Sequence, residues 1–247
     1  MENAIIEFDK VDSTMLVLHR LLQERPLRSG DCILARYQSA GRGRLQRVWH
    51  GGEGRNLTAT FWIAAPLQGL TSLPLVAALA VCDALESLGL RGLARCKWPN
   101  DVLAKGRKIC GILCQYEAES AYNPSGCAIG VGLNLHLEEW ELSAIGQPAI
   151  SVEELLGKAP SPPEMAAVLQ RCLLDRARRW HREGFSDMAA EWYRLCAHAG
   201  VSISVSSGRE EVRGRTAGVA ADGALLLESE GRLWRAICGD VSLVKFA

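Results

Sequence analysis

The chain has 247 residues, of which 48% are hydrophobic and 23% are charged, an ordinary composition for a globular protein. Lysine and arginine together number 28, and aspartate and glutamate also number 28, so the formal net charge is zero. This balance argues against a general nucleic-acid-binding protein, which normally carries a basic excess. The composition also excludes a disordered, collagen-like or coiled-coil chain.

Nine cysteines are scattered along the chain without a Cys-x-x-Cys pair, and the five histidines show no zinc-binding spacing. We therefore predict reduced, mostly buried thiols in a cytoplasmic protein. The N-terminus lacks the basic-then-apolar pattern of a signal peptide. Residues 57–82 carry no charge, but Pro66, Gly69 and Pro74 interrupt them, which predicts a strand, a loop and a buried helix. A membrane partner is not expected.

The first part of the chain predicts strands and helices in alternation. Ile5, Ile6 and Phe8 indicate a strand, and residues 12–14 (Asp-Ser-Thr) are typical of a helix start, with the helix ending before Pro26. A second helix is predicted at residues 73–88. The remaining predicted strands are residues 32–37, 57–63, 95–98, 102–103, 109–116 and 127–135.

The second part of the chain predicts helices followed by a change of pattern. Helices are expected at residues 151–156 and 163–182, and from Asp187 to near Gly200. Beyond Gly200, short alternating segments and glycine turns predict strands at residues 201–205, 212–219, 224–228, 233–237 and 241–244. We predict an α+β domain at residues 1–199 and a small all-β barrel at residues 200–247.

A loop at residues 41–56 combines five glycines with four arginines. Guanidinium groups bind carboxylates and phosphates in a bidentate way, and exposed backbone N–H groups add to an anion site. Such a loop is flexible unless a ligand orders it. A solvated basic loop or an arginine-rich RNA contact explains the composition equally well. Neither a Walker A motif nor a dinucleotide fingerprint is present.

The segment Lys97-Trp98-Pro99-Asn100-Asp101 places a lysine at a defined point. Pro99 restricts Trp98 to an extended conformation and fixes the turn, so Lys97 leaves the end of a strand. This lysine can hold a phosphate or a carboxylate. Taken alone, however, Lys97 fits an ordinary surface lysine better, and Asp101 fits a turn-forming side chain.

Glycines inside two predicted strands mark a second candidate feature. Gly111 follows Lys108 by three residues, and Gly130 and Gly132 flank Val131. Glycine within a strand often marks the close approach of a ligand or of another backbone. A bulge or tight packing explains these glycines about equally well.

Together these segments resemble the biotin–protein ligases, the enzymes that attach biotin to carrier domains of biotin-dependent carboxylases. The matching motifs occur in the family's order and spacing: Ser13-Thr14, Gln38 with Gly41-Arg42-Gly43-Arg44, Lys97-Trp98-Pro99-Asn100-Asp101, Lys108-x-x-Gly111-Ile112-Leu113 and Gly130-Val131-Gly132-Leu133-Asn134. The resemblance implies a mixed β-sheet with flanking helices, of the class II aminoacyl-tRNA synthetase and biotin ligase type, followed by an SH3-like β-barrel.

The resemblance further implies a biotin–[acetyl-CoA-carboxylase] ligase that works in two steps. Biotin and Mg-ATP give biotinyl-5'-AMP, and a lysine of the biotin carboxyl carrier protein then takes the biotin. Two anions must meet, so cationic groups are needed, and by this resemblance the catalytic residues are Arg42, Arg44 and Lys97. The implied biotin-binding residues are Ser13, Thr14, Gln38, Gly41, Arg42, Lys97, Gly111 and Gly132. The implied nucleotide-binding residues are Arg44, Trp49, Asn56, Lys108 and Asn134. No metal is held by the protein itself, and Mg2+ arrives with ATP.

The chain departs from the family pattern at two positions. Gln46 stands where the family loop usually has glycine, which puts adenylate retention in question, and Met15 stands where relatives commonly have asparagine. Because the sequence begins at the first strand of the ligase domain, we expect no N-terminal DNA-binding domain and no repressor function. The family often forms dimers, and the sequence leaves a homodimer open.

Three other functions compete with biotin ligation. Lipoate and octanoate ligases share the fold class, although the Gly-Arg-Gly-Arg loop and the Lys-Trp-Pro-Asn-Asp turn favour biotin. A nucleic-acid-binding module is disfavoured by the zero net charge. A biotin-binding protein without catalysis is disfavoured because Arg42, Arg44, Lys97 and Lys108 are all present.

Overall fold

A seven-stranded mixed sheet forms the centre of the computed structural model, which describes residues 3–49, 51–52, 54–66, 68–207 and 210–243. The strand order is β1-β2-β3-β7-β6-β5-β4, in which β1 and β2 are parallel and all other neighbours are antiparallel. The strands are β1 (Ile5–Val11), β2 (Cys32–Gln38), β3 (Leu57–Ala64), β4 (Ala94–Lys97), β5 (Asp101–Ala104), β6 (Arg107–Glu117) and β7 (Gly126–Leu133). Each of these strands was predicted from the sequence.

Six helices accompany the sheet in the described part of the chain. Three of them are long and apolar on one face or throughout, which is why the sequence predicted them: α1 (Thr14–Glu24), α2 (Leu73–Ser87) and α5 (Pro162–Glu183). Ser161 and Glu164 form a capping box at the start of α5, where proline occupies the first turn. The other helices are α3 (Glu139–Ile145), α4 (Val152–Leu156) and α6 (Ser186–Arg194).

The two faces of the sheet are covered to different extents. Leu57 and Phe61 of β3 belong to the large core cluster that also contains the buried side chains of α2 and α5. Trp62, on the opposite face, packs in a smaller cluster with Leu18 of α1. The part of this second face that α1 does not cover is lined by the glycines of β6 and β7, and it forms a cleft.

Two helical features differ from the sequence predictions. Helix α6 ends at Arg194 rather than near Gly200, because the chain turns there to the edge of the sheet. The backbone of Cys196 forms an isolated parallel β-bridge with the backbone of Cys96, and the N–H of Ala197 donates to the Cys96 carbonyl at 2.8 Å. Helix α3 was not predicted from the sequence, although a reciprocal capping box of Glu138 and Glu141 marks its start.

The C-terminal strands form a second, fully antiparallel sheet in the order β11-β10-β9-β8-β12. They are β8 (Ser202–Ser207), β9 (Glu210–Val219), β10 (Leu225–Ser229), β11 (Arg232–Ala236) and β12 (Asp240–Leu243). All five were predicted, and Val244, the expected end of the last one, lies outside the described residues. Ile203 and Leu227 of this sheet join the large core cluster. The SH3-like closure and the boundary between residues 199 and 200 stay predictions.

Part of the uncharged segment at residues 57–82 lies in a core helix and the turn that precedes it. Residues Leu70–Ser87 are long and apolar enough to cross a bilayer by composition alone, but 67% of them are buried inside the protein. All nine cysteines are free thiols, and six of them are buried. Burial raises the pKa of Cys196 to about 11, so this thiol stays protonated at neutral pH.

Arg176 of α5 ties three helices together, and we expect its replacement by methionine to destabilise the fold by about 2 kcal/mol. Its guanidinium donates to Asp83 of α2 at 2.6 and 2.8 Å and to Glu191 of α6 at 2.7 and 2.9 Å. Without this guanidinium, Asp83 loses two hydrogen bonds and Glu191 keeps only its contact with Arg179 at 3.1 Å. Urea unfolding at pH 7 measures the loss. Arg178→Met, which removes an exposed pair with Asp175, is the control and should cost less than about 0.5 kcal/mol.

The destabilisation should also depend on pH. The hydrogen bond from Arg176 lowers the pKa of Glu191 in the folded protein. A lowered pKa contributes stability above the unfolded value, near 4.3, and this contribution is lost as pH falls through the folded value. The difference in the free energy of unfolding between wild type and Arg176→Met should therefore become smaller below about pH 4. An equal difference at pH 7 and at pH 3.5 would contradict the assigned contact between Arg176 and Glu191.

Candidate active site

A cleft of about 790 Å³ opens on the sheet face that α1 leaves uncovered. Its floor is the pair β6–β7, where Gly111 and Gly132 are direct partners in the register. The structure brings most of the predicted site residues to its lining: Ser13, Thr14, Gln38, Arg42, Arg44, Trp49, Lys97, Lys108, Gly111, Gly132 and Asn134. Gly41 and Asn56 are not part of the lining.

A group of hydrogen-bonding side chains lies at the end of the cleft where α1 begins. The backbone N–H and the hydroxyl of Thr14 lie 2.7 and 3.0 Å from Oε1 of Gln38, and the same hydroxyl lies 2.8 Å from the hydroxyl of Thr60. The oxygen of Gln38 is therefore engaged by Thr14. Its NH2 group has no acceptor among the described residues and remains available to a ligand carbonyl.

Gly41 contributes to this end from behind the surface. A Cβ at Gly41 would lie 2.8 Å from Nε2 of Gln38, so only glycine leaves the amide in this position. The Gly41 carbonyl also accepts the N–H of Trp49 at 3.0 Å. Gly41 thus shapes the site through Gln38 and Trp49 rather than as part of its surface.

The absence of side chains at Gly111 and Gly132 makes room for an aromatic ring on the cleft floor. A Cβ at Gly132 would overlap the indole of Trp49, and a Cβ at Gly111 would lie 3.3 Å from the same ring. The glycines therefore mark a close approach, as the sequence indicated. The Trp49 indole occupies this place in the structure.

Five cationic side chains line the cleft. Three of them are held in place: Arg44 donates to Oδ1 of Asn100 at 3.2 Å, Lys108 pairs with Asp101 at 2.7 Å, and Arg47 pairs with Asp240. The other two, Lys97 and Arg42, have no ion-pair partner in the described part of the chain. The excess of positive charge suits a ligand with several anionic groups.

The loop that carries these arginines is folded back on itself. Arg42 and Val48 form a bridge, and the N–H of Gly43 donates to the Arg47 carbonyl at 2.7 Å. Between them Leu45 adopts a left-handed conformation with φ of 53°, which costs a non-glycine residue about 1 kcal/mol. The side chain of Gln46, where the family has glycine, lies outside the described residues.

Asn56 has a structural contact and an unused donor. It is buried, and its Oδ1 accepts the N–H groups of Leu135 at 2.8 Å and His136 at 2.9 Å. Among the described residues its Nδ2 has no partner, and the same is true of Oε1 of Glu141 and of Nε1 of Trp49, Trp62 and Trp192. Buried polar atoms in folded proteins rarely lack partners, so a ligand or ordered water is expected at the one of these atoms that belongs to a residue of the cleft lining, Nε1 of Trp49.

Asn134 holds the chain together beside the cleft. Its Nδ2 lies 3.2 Å from the Ile150 carbonyl and 3.3 Å from the Lys108 carbonyl. Ile145, the last residue of α3, and Gln147 also line the cleft. Asn134 therefore fixes the segment after β7, and its predicted contact with a nucleotide stays a prediction.

The positive charge of Lys97 affects the pKa of His198. Its backbone neighbour Ala197 is hydrogen-bonded to Cys96, which precedes Lys97 on β4. Burial lowers the pKa of His198, and the positive charge of Lys97 lowers it further. His198 is therefore neutral at pH 7 and adds no charge to the cleft.

Several residues of the cleft were not identified from the sequence. Thr60 is one residue of an alternating strand and does not stand out by pattern. Asn100 stands in the Lys97–Asp101 motif, but no site role was assigned to it from the sequence. Asp240 and Val241 reach the cleft from the C-terminal sheet, which no local signal could show. Within the described residues, no group of three or more His, Cys, Asp or Glu side chains converges as a metal site.

Comparison with known proteins adds a family to this geometry. A model of the biotin/lipoate A/B protein ligase family matches residues 7–134. The chain is 32% identical over 235 residues to the bifunctional ligase/repressor BirA of Escherichia coli, covering 94% of this chain and 72% of the relative. It is 33% identical over 201 residues to the biotin–[acetyl-CoA-carboxylase] ligase of Paracoccus denitrificans, covering 79% and 82% of the two chains.

A solved structure agrees with these matches. The biotin protein ligase from Aquifex aeolicus in complex with biotin and ATP is similar with a TM-score of 0.81. The sequences are 26% identical, and the match covers 98% of both chains. The similarity therefore includes the C-terminal sheet as well as the seven-stranded sheet.

Proposed function

Because this chain belongs to the biotin/lipoate A/B protein ligase family, we propose that it activates biotin with ATP and transfers it to a carrier protein of a carboxylase. Its activity is that of a biotin protein ligase, the activity named for its relatives. The finer proposal is that biotinyl-5'-AMP is the intermediate and that the biotin carboxyl carrier protein of acetyl-CoA carboxylase is the acceptor.

One observation carries the proposal: a single cleft is lined by hydrogen-bonding side chains, by the glycines of β6 and β7 and by a set of cations. The ureido ring of biotin needs both donors and acceptors, which Gln38 and the hydroxyls near Thr14 supply. The valeryl chain would lie over Gly111 and Gly132, and the Trp49 indole that occupies this place in the structure would then move aside. The carboxylate of the valeryl chain would then reach the part of the cleft where Lys97 lies.

The first reaction joins two anions, and the cations make it feasible. A carboxylate oxygen of biotin attacks the α-phosphorus of ATP, an O–P bond forms, and pyrophosphate leaves with the electrons of the broken bond. Lys97 and Arg42 screen the approach, and Arg44 stabilises the charge that develops on the phosphate. Arg44 is already oriented by its hydrogen bond to Asn100.

The nucleotide would lie toward Trp49, Asn56, Lys108 and Asn134. Support comes from Nε1 of Trp49, which belongs to the cleft lining, and from Nδ2 of Asn56, which is buried outside the lining; neither has a partner among the described residues. The nearby carboxylates Asp101 and Asp240 are engaged by basic side chains. These residues fit a Mg2+ that arrives on the triphosphate, where it neutralises phosphate charge, better than a metal held by the protein.

The second reaction transfers biotin to a lysine of the carrier. The neutral amine attacks the carbonyl carbon of the mixed anhydride, an amide bond forms, and AMP leaves. Water would hydrolyse the same anhydride, so the loop that carries Arg42 and Arg44 protects the intermediate when it lies over the cleft.

The hydroxyl of Thr14 supplies a test of the biotin end. Thr14→Val keeps the shape of the side chain and the backbone N–H bond to Gln38 but removes the contacts of the hydroxyl to Gln38 and Thr60. We expect the Kd for biotin to rise about tenfold, because the amide of Gln38 loses part of its orientation. Isothermal titration calorimetry measures the change. A Kd within twofold of wild type would remove Thr14 from the biotin site.

The transfer itself can be tested directly. The protein is incubated with biotin, ATP, Mg2+ and a purified biotin carboxyl carrier domain, and modified lysines are identified by mass spectrometry. The proposal expects one biotinylated lysine, and no product when that lysine of the carrier is replaced by arginine. Biotin scattered over many lysines, or none transferred while adenylate forms, would contradict the proposed acceptor.

The remaining expectations stay proposals. We propose a cytoplasmic protein that acts without a membrane or nucleic-acid partner, with a homodimer left open. That the protein does not repress transcription is a prediction, which a gel-shift assay at physiological salt with promoter DNA of biotin-synthesis genes checks.

A further inference from the structure

The C-terminal sheet contacts both cationic motifs of the cleft through two of its turns. At the first turn, Nε1 of Trp98 donates to the Gly223 carbonyl at 3.0 Å, and the hydroxyl of Thr71 donates to the Asp222 carbonyl at 2.7 Å. At the second turn, Gly239 and Asp240 lie against the arginines of the loop. The first contact anchors the sheet beside Lys97, and the second reaches the arginine loop.

Asp240 lies between two arginines of the loop. Its carboxylate forms a hydrogen-bonded ion pair with Arg47 and lies 3.7 Å from Nη1 of Arg44. The Gly239 carbonyl accepts from both terminal nitrogens of Arg44 at 3.4 Å. One carboxylate thus joins two guanidinium groups that would otherwise repel each other.

The position of this carboxylate is set by the fold of the C-terminal sheet. Asp240 is the first residue of β12 and pairs with Ser206 of β8. Gly239 has a φ of 137°, and a Cβ there would lie 2.7 Å from the Ser206 carbonyl, so only glycine makes this turn. Asp240 is therefore carried on a strand, whereas the arginines are carried on a loop.

We propose that Asp240 is a positioning residue that fastens the 41–49 part of the loop across the cleft and thereby retains the reactive adenylate. The inference rests on the proposed function, because it assigns the C-terminal sheet a task in the same reaction. Arg42 and Arg44 are carried on this loop segment, and Trp49 lies at its end. Opening the segment would expose the anhydride to water and let it leave before the carrier arrives.

The expected increase in loop opening on loss of Asp240 follows from the solvent exposure of its ion pair with Arg47. The side chains of Arg47 and Asp240 are 67% and 38% exposed, so their attraction is partly screened by water and salt. Arg44 is more shielded, at 25%. We expect removal of the carboxylate to increase loop opening roughly fivefold, the factor that corresponds to about 1 kcal/mol.

The first experiment needs no substrate. Limited trypsin digestion of the unliganded protein, with mass spectrometry of the fragments, measures cleavage after Arg42, Arg44 and Arg47. Asp240→Ala should be cut in this loop roughly fivefold faster than wild type. Asp240→Glu should restore resistance. Equal cleavage of wild type and Asp240→Ala would overturn the proposal.

The second experiment measures retention. The enzyme is loaded with biotin and ATP labelled at the α-phosphate, and the bound adenylate is followed after a chase with unlabelled substrates. Asp240→Ala should release label roughly fivefold faster, Arg47→Ala should release it as fast, and the double variant should release it no faster. Additive effects of the two substitutions would contradict a shared contact.

Salt and a matched control separate this role from a general loss of structure. High salt should bring the release rate of wild type toward that of Asp240→Ala, and the variant itself should respond less. Glu211→Gln removes another carboxylate of the same sheet, one that pairs with Arg213, and should behave as wild type. If wild type forms no adenylate, the proposed function fails, and the trypsin experiment still decides the contact of Asp240 with the loop.

Discussion

Replacing Lys97 with alanine should slow biotin-dependent pyrophosphate exchange by about 10²- to 10³-fold. Lys97 ends β4 at the turn and lines the cleft, and it has no ion-pair partner among the described residues. Its charge is therefore available to the carboxylate of biotin and to the α-phosphate, the two anions that must meet. Loss of one such group from a preorganised site removes stabilisation that water cannot replace.

The matched control for Lys97 is Lys158→Ala, an exposed lysine after α4 that is outside the cleft. It should exchange pyrophosphate at the wild-type rate. The thermal midpoint of Lys97→Ala should lie within a few degrees of wild type, because this side chain is partly exposed. Exchange by Lys97→Ala at the wild-type rate would remove this lysine from the reaction.

Substituting Gly132 by valine should weaken biotin binding by about 100-fold or more. A Cβ at this position would enter the space that the Trp49 indole now occupies, on the floor of the cleft. A branched side chain would project further and would separate any flat ligand from the strands β6 and β7. The cost is therefore steric rather than the loss of a hydrogen bond.

Gly130→Ala gives a contrast on the same face of the same strand. A Cβ at Gly130 would meet the terminal methyl of Met15 at 2.9 Å, and this flexible end can move aside. We expect calorimetry to show less than a tenfold change in the Kd for biotin. A Gly132→Val protein that folds and binds biotin as tightly as wild type would show that the ligand does not lie on this floor.

Much of the fold could be predicted because its signals are local. Strand β3 carries mostly apolar residues and is buried on both faces of the sheet, and α5 has regular helical spacing of its apolar residues. Both elements could therefore be predicted from the sequence pattern. The end of α6 could not be predicted, because it depends on the backbone β-bridge between Cys196 and Cys96, two residues that are far apart along the chain. The helix α3 was missed because its N-cap is a glutamate rather than a favoured cap residue.

The site was predictable in its parts but not in its assembly. Lys97 and the glycines at 111 and 132 stand in motifs that can be read along the chain, and the structure brings them to one cleft. Asn56 shows the limit of this reasoning, since its oxygen supports Leu135 and His136 and only its amide nitrogen is unpartnered. The contact of Asp240 with Arg44 and Arg47 joins two sheets, and no sequence spacing encodes it.

The most direct test of the proposed chemistry is pyrophosphate exchange into ATP by the purified protein. The assay compares biotin, lipoate, octanoate and no acid under the same conditions. The geometry of the cleft and the similarity of the chain to biotin protein ligases predict that the exchange requires biotin. Exchange that requires lipoate or octanoate instead would keep the fold and overturn the substrate. No exchange with any acid, while biotin still binds, would contradict adenylation and leave a binding protein.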